Sequence, residues 1–281
     1  MAPALRVLGD VRFSLDSFAF RNLVWKPVLG AIRLEGETTT VSVREADVCG
    51  IETTGAIRFR QGGSAEVRGS VVAAGPDIGV PLACLGFRGV QMTGAFEACL
   101  DAEGEGEAAE LPWVVRGPVT LKASRGRIGK ATLLTRILGA LNATSVFAGK
   151  GERDQIGKAM AYDTLTIEGS LEAGRVTVRE GTLRTPSFTM AGTGLIGYVD
   201  GGVDLQVLAH PFSTADKVIR AIPVVRYILG RDFLSVAARA TGTLENPEVE
   251  ISAARDVSRW LVDILARTVT LPVKVLDPEV R

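Results

Sequence analysis

Val11, Phe13 and Leu15 alternate with Arg12, Ser14 and Asp16. A period of two puts apolar side chains on one face of a strand and polar ones on the other. The alternation recurs at Thr40–Val43, Gly55–Phe59 and Ala65–Val71, with turn signals at Gly62-Gly63 and Gly75-Pro76. Val119, Leu121 and Ala123 predict a short strand, and further strands are predicted at Leu165–Leu171, Arg175–Val178, Ser187–Ile196 and Gly202–Ala209. Links such as Glu172-Ala173-Gly174 and Asp200-Gly201-Gly202 are too short for the crossovers that parallel strands need. They predict an antiparallel meander. Leu234, Val236, Ala238 and Ala240 extend it, as do Val249 and Ile251 after Asn246-Pro247.

Three stretches change period. Over 131–148, Leu134, Ile137, Leu138 and Leu141 fall on one helical face. Over 214–229 the stripe is Val218, Ile219, Ile222, Val225 and Leu229, with Pro223 expected to kink or divide the helix. Over 254–269, Trp260, Leu261, Ile264 and Leu265 share one face while Arg259, Asp263 and Arg267 sit four apart on the other. The run Asp101–Glu110 is acidic, rich in Gly and free of bulky apolar residues until Leu111. It is expected to be a solvated loop linking a β-rich segment, 1–115, to a mixed region, 116–281. The fold class is therefore mainly β with a few α-helices.

Composition narrows what such a sheet does. Of 281 residues, 46% are hydrophobic and 6% aromatic; 32 Lys and Arg balance 32 Asp and Glu. Zero net charge lacks the basic footprint of a nucleic-acid binder. A single histidine, His210, leaves little from which to build a metal cluster or a His-dependent triad. No apolar run approaches the ~20 residues of a membrane span, and Met1–Asp10 does not read as a signal peptide. The chain is apolar without a spanning segment.

The short motifs are weak. Gly192-Thr-Gly194-Leu-Ile-Gly197 matches a dinucleotide fingerprint, but that chemistry needs a helix to follow, and another alternating strand follows instead. The acids Glu103, Glu105, Glu107 and Glu110 lack the spacing of a calcium loop. Cys49, Cys84 and Cys99 show no zinc spacing. In a reducing compartment Cys49 and Cys84 are buried thiols. In an oxidising one they can pair, leaving Cys99 free. No catalytic residue, metal ligand or cofactor is assigned.

The ordered blocks from Gly117 to Pro278 resemble the C-terminal region of the AsmA-like bacterial envelope proteins, most closely the YhdP type. They are Gly126-Arg-Ile128, Leu133-Leu-Thr-Arg-Ile-Leu-Gly-Ala-Leu-Asn142, Tyr162-Asp-Thr-Leu165, Gly192-Thr-Gly194, His210-Pro-Phe-Ser-Thr-Ala-Asp-Lys217 and Ile222-Pro-Val-Val-Arg-Tyr-Ile-Leu-Gly230. Leu234-Ser-Val236, Asn246-Pro-Glu-Val249 and Leu271-Pro-Val-Lys-Val-Leu276 follow in order. Cys49-Gly-Ile51 and Ala83-Cys84-Leu85 extend the likeness more loosely upstream.

The resemblance implies a meander curled into an open, taco-like groove, capped by amphipathic helices and conducting phospholipids between inner and outer membranes. It implies a periplasmic location within an inner-membrane-anchored protein whose anchor this chain lacks. Leu165, Ile167, Val203, Leu205, Val207, Leu234 and Val236 are expected to line an apolar groove, or the core beneath it. The expected partners are phospholipid acyl chains, with an envelope or outer-membrane protein at the C-terminal helices and no nucleic acid. The alternative is a structural or adaptor domain of the envelope that closes its apolar face with its own helices and binds a protein.

Overall fold

The structure, a computed structural model, describes residues 8–20, 23–60, 63–85, 90–107, 109–142, 159–197, 200–211, 235–252 and 257–270. Sixteen strands are found among them: β1 (Leu8–Leu15), β2 (Phe18–Phe20), β3 (Leu23–Trp25), β4 (Val28–Glu35), β5 (Thr38–Val48), β6 (Ile51–Arg60), β7 (Ser64–Gly75) and β8 (Val90–Met92); then β9 (Ala95–Glu107), β10 (Gly117–Ala131), β11 (Met160–Glu172), β12 (Arg175–Arg184), β13 (Phe188–Gly197), β14 (Gly202–Pro211), β15 (Val236–Thr243) and β16 (Pro247–Ser252). The helices are α1 (Gly79–Cys84), α2 (Leu111–Val114), α3 (Thr132–Asn142) and α4 (Arg259–Thr270). The predicted helix over 214–229 lies outside the described residues.

One antiparallel sheet takes fourteen of the strands, in the order β1-β4-β5-β6-β7-β9-β10-β11-β12-β13-β14-β15-β16, with β8 beside β10; β2 and β3 form a separate hairpin. Nearly every strand pairs with its neighbour in sequence, as short links between period-two segments dictate. The sheet does not close on itself. Among the described residues its two ends, β1 and β16, are both edges.

The pairing register carries one apolar face along this sheet. Val11 opposes Ile32, Ile32 opposes Val41, Val41 opposes Ile57 and Ile57 opposes Val67. Farther on, Leu121 opposes Ile167, Leu165 opposes Leu183, Leu183 opposes Met190 and Met190 opposes Ala209. The other face carries most of the charge: Asp10, Arg33, Arg58, Glu66, Glu103 and Glu105 all point away from the apolar rows.

The two halves of this face differ in cover. From β10 to β16 the sheet is covered by α3, which touches β10, β15 and β16. Six strand spacings of about 4.8 Å would set β10 and β16 about 29 Å apart in a flat sheet. α3, which leaves β10 directly at Thr132, reaches across this half of the face to β15 and β16. Ile137 and Leu141 of α3 are buried with Phe188, Val203, Val207, Val236 and Ala238 in the main core. α4 packs on the opposite, outer face, where Leu261, Ile264 and Leu265 are buried against Ala191, Leu208 and Ala237.

Several elements depart from expectation. The acidic run is strand, not loop, as far as Glu107, and β9 pairs with β7 from Ser64↔Glu107 to Gly75↔Phe96. The acids alternate with Ala102, Gly104 and Gly106, so period two is preserved with small residues on the inner side. The outward acids meet arginines: Glu105 pairs with Arg60, and Glu103 with Arg68 (3.7 Å) and Arg116 (3.4 Å). The sheet thus continues across the expected loop and past residue 115 into β10. β10 itself is fifteen residues rather than a short strand, so α3 starts at Thr132, and 143–148 lie outside the described residues. α4 begins at Arg259, after Ser258, whose hydroxyl accepts the Leu261 N–H at 3.2 Å and caps the first turn. Gly192, Gly194 and Gly197 all lie within β13, which another strand follows.

Candidate functional site

From β1 to β7 the apolar face has no described helix lying across it. Val11, Ile32, Val41, Ile57 and Val67 make a transverse row of β-branched residues over five successive strands, β1, β4, β5, β6 and β7. Four of the five are half-buried, and Val11, on the outermost strand, is 55% exposed. Leu15 and Phe59 on the same face are 41% and 38% exposed. Singly such exposure is ordinary; a contiguous apolar surface spanning several strands is what marks a binding face.

Beside this row lies a second made mostly of small residues. Gly30 opposes Val43, Val43 opposes Gly55, Gly55 opposes Gly69 and Gly69 opposes Ala102. At Gly55 the backbone has φ +152°, and a Cβ there would sit 2.6 Å from the Cα of Gly69. No L side chain fits, so the row is a trough two residues away from a ridge. Val71, Leu100 and Val119, again direct partners, flank the trough on its other side. The result is a ridge, a trough and a ridge running across the strands, with the Phe13 ring lying over the trough at Gly30.

The far end of this open face is walled. Ile78 and Leu82, in and just before α1, pack with Ala73, Met92 and Phe96 at the margin of the closed core. A disulfide between Cys49, in the β5–β6 turn, and Cys84, at the end of α1, ties that segment to the sheet. Cys99 is a free, half-buried thiol on β9.

The residues singled out from sequence fall mostly elsewhere. Val203, Val207 and Val236 are buried at 5–7% exposure, and Leu165 and Leu205 pack against the same core. α3 covers that part of the sheet, so these positions lie in the core, the second of the two places expected for them. Ile167 is half-buried, opposite Leu121, and Leu234 lies outside the described residues. The open face instead uses Val11, Ile32, Val41, Ile57 and Val67. The signal that points to them is the lack of any helix-period pattern between residues 11 and 75 that could supply a cover.

The polar face also bears a concavity. A cleft of about 960 Å³ crosses β6, β7, β9, β10 and β11, bordered by Ala56, Ser70 and Ser170. Arg68, Arg116 and Arg179 there are offset by Asp101, Glu103 and Glu172, which leaves no net charge to draw an anion. Among the described residues no three His, Cys, Asp or Glu side chains converge as a metal cluster, and no helix is long and apolar enough to cross a membrane. The apolar stripe of α4 faces the sheet, with Trp260 Nε1 donating to the Arg179 carbonyl at 3.2 Å.

No family model, curated protein or solved structure matches the chain.

Proposed function

We propose that the chain is a non-enzymatic lipid-handling module of a bacterial envelope protein, whose uncovered apolar face receives phospholipid acyl chains passing between the inner and outer membranes. The observation that carries this reading is the β-branched row from Val11 to Val67, with its adjoining trough, on the β1–β7 part of the face, across which no described helix lies. An acyl chain is apolar, unbranched and narrow, and needs burial without directional bonds. From β1 to β7 the open face extends over four strand spacings, about 19 Å, and α2 lies beyond it on β9, where Val114 stands over Gly104 and Gly106. One leaflet's share of a hydrocarbon core about 30 Å thick is half of that, so a whole acyl chain fits.

The resemblance of the C-terminal blocks to the AsmA-like envelope proteins supports the same reading. The Cys49–Cys84 disulfide supports an oxidising compartment such as the periplasm. Acyl-chain binding asks for no catalytic residue and no cofactor. The covered region from β10 to β16 favours a second reading for that half alone, a closed structural unit that joins the groove to a protein partner.

Neighbouring residues on opposite faces provide the test. A photo-crosslinking amino acid at Ile57, in the ridge beside the trough, faces the apolar side, and one at Arg58 faces solvent on the polar side. The chain, expressed with a secretion signal and purified, is expected to carry phospholipid crosslinked from position 57 and none from 58, read by mass spectrometry. Equal labelling at both positions, or an absence of extractable phospholipid, overturns the proposal.

A further inference from the structure

The two edges of the sheet are not equivalent. β16 begins with Pro247, which has no N–H to offer, and turns Glu248 and Glu250 to solvent. Proline and charge are how natural sheets blunt an edge against further pairing. β1 has no proline and no bulge in its pairing with β4, and Val11 and Leu15 stand exposed along it. Its outer side pairs with no described strand.

The sequence of β1 is complementary to itself. When two copies run antiparallel with Val11 opposite Val11, Asp10 faces Arg12 and Arg12 faces Asp10, while Gly9 faces Phe13 and Phe13 faces Gly9. Both charged pairs lie on the polar face. Both Gly–Phe pairs and the central valines lie on the apolar face. A Cβ at Gly9 would meet nothing within 4 Å, whereas the Phe13 ring lies over Gly30 of its own β4, where a Cβ would sit 2.4 Å from it. Shifting the register by one residue would set the apolar face of one copy against the polar face of the other.

We infer that β1 is a homodimerisation edge: two copies pair antiparallel through Leu8–Ser14 about a twofold axis at Val11, joining their apolar faces into one. A twofold axis normal to the sheet keeps both apolar faces on the same side, so the Val11–Val67 row of one copy continues into that of the other. The occupant is a second copy because the charge order along the strand, acid then base two residues on, answers itself only in antiparallel pairing. Asp10 also takes a two-pronged bond from Arg33 on β4, at 2.9 and 3.3 Å, which holds its carboxylate at the edge. Arg12 opposes Ala31, which offers it no charge.

Charge complementation between variants tests the inference. Arg12→Asp places acids at both edge positions, and Asp10→Arg places bases at both. Each variant alone is expected to dimerise roughly tenfold or more weakly in sedimentation equilibrium, because two attractive cross-strand pairs become repulsive. An equimolar mixture is expected to recover association as a heterodimer. Circular dichroism checks that each variant is folded. Independently, Val11→Cys in a Cys99→Ser background is expected to give a covalent dimer under mild oxidation, because position 11 faces itself. Three outcomes overturn the inference: a chain that is monomeric at every concentration, a dimer indifferent to both charge reversals, or no crosslink at position 11.

Discussion

Tyr162 shows how closely the backbone is fitted around single side chains. It is 2% exposed, and its hydroxyl donates to the Thr93 carbonyl at 2.7 Å. A Cβ at Gly126 would lie 1.8 Å from that carbonyl oxygen and 2.6 Å from the phenol oxygen. Glycine is what lets β10 pass beneath the ring. Burial first, and then the nearby Asp77 carboxylate, push the phenol up to about 12 from its ordinary 10.0. The unfolded chain therefore releases this proton at lower pH than the folded one. The tyrosine's contribution to stability is complete below pH 10 and falls away as pH rises from about 10 to 12. Urea unfolding at pH 8 and at pH 11 is expected to show that loss in the native sequence. In Tyr162→Phe the part of the alkaline loss due to this group disappears, at the expense of about 1 kcal/mol at pH 8 for the missing hydrogen bond.

Among the elements, α4 makes the most specific commitment. Leu261, Ile264 and Leu265 are at most 1% exposed. Arg184, buried in β12, donates to the Thr268 carbonyl at 2.9 Å, placing a cation at the helix C-terminus, where the peptide dipoles favour it. Arg267 pairs with Glu180 at 3.0 Å and lies 5.6 Å over the Trp260 ring. Ile264→Ala is expected to cost about 2–5 kcal/mol of stability by denaturant titration. Because α4 sits on the outer face, the same variant is expected to leave phospholipid extracted per folded protein unchanged. The helix was legible in the sequence because Trp260, Leu261, Ile264 and Leu265 recur at helical spacing. β9 was not, because acidic side chains at every second position look like a solvated run until Arg60, Arg68 and Arg116 are brought beside them from other strands. Chain-distant partners of that kind leave no local trace. Nor could alternation tell Val207, under α3, from Val41, in the open, because both stand in strands of the same pattern and differ only in what tertiary packing lays across them.

On the scale of the whole molecule, the disulfide is the covalent link across the open region. It joins the β5–β6 turn to α1, on the β7–β9 connection, over a sequence separation of 35. Closing a loop of that size in the unfolded chain stabilises the fold by about 3–4 kcal/mol in the chain-entropy model. Alkylation of the secreted, denatured but unreduced chain is expected to label one cysteine of the three, Cys99, by peptide mass spectrometry. Cys49→Ser with Cys84→Ser is expected to lower the unfolding free energy by up to that amount. Three labelled thiols in the native sequence would refute the pairing.

The order of strands has a consequence for how such a molecule changes length. Because the sheet is a meander of antiparallel neighbours, a hairpin inserted into it restores both chain direction and the facing of every later residue. Each added hairpin would widen the sheet by two strand spacings, about 10 Å, without turning a single apolar side chain outward. Duplication or loss of hairpins therefore acts as a ruler with a fixed graduation. Evolution can set the reach of this architecture in whole hairpins while its cross-section stays the same.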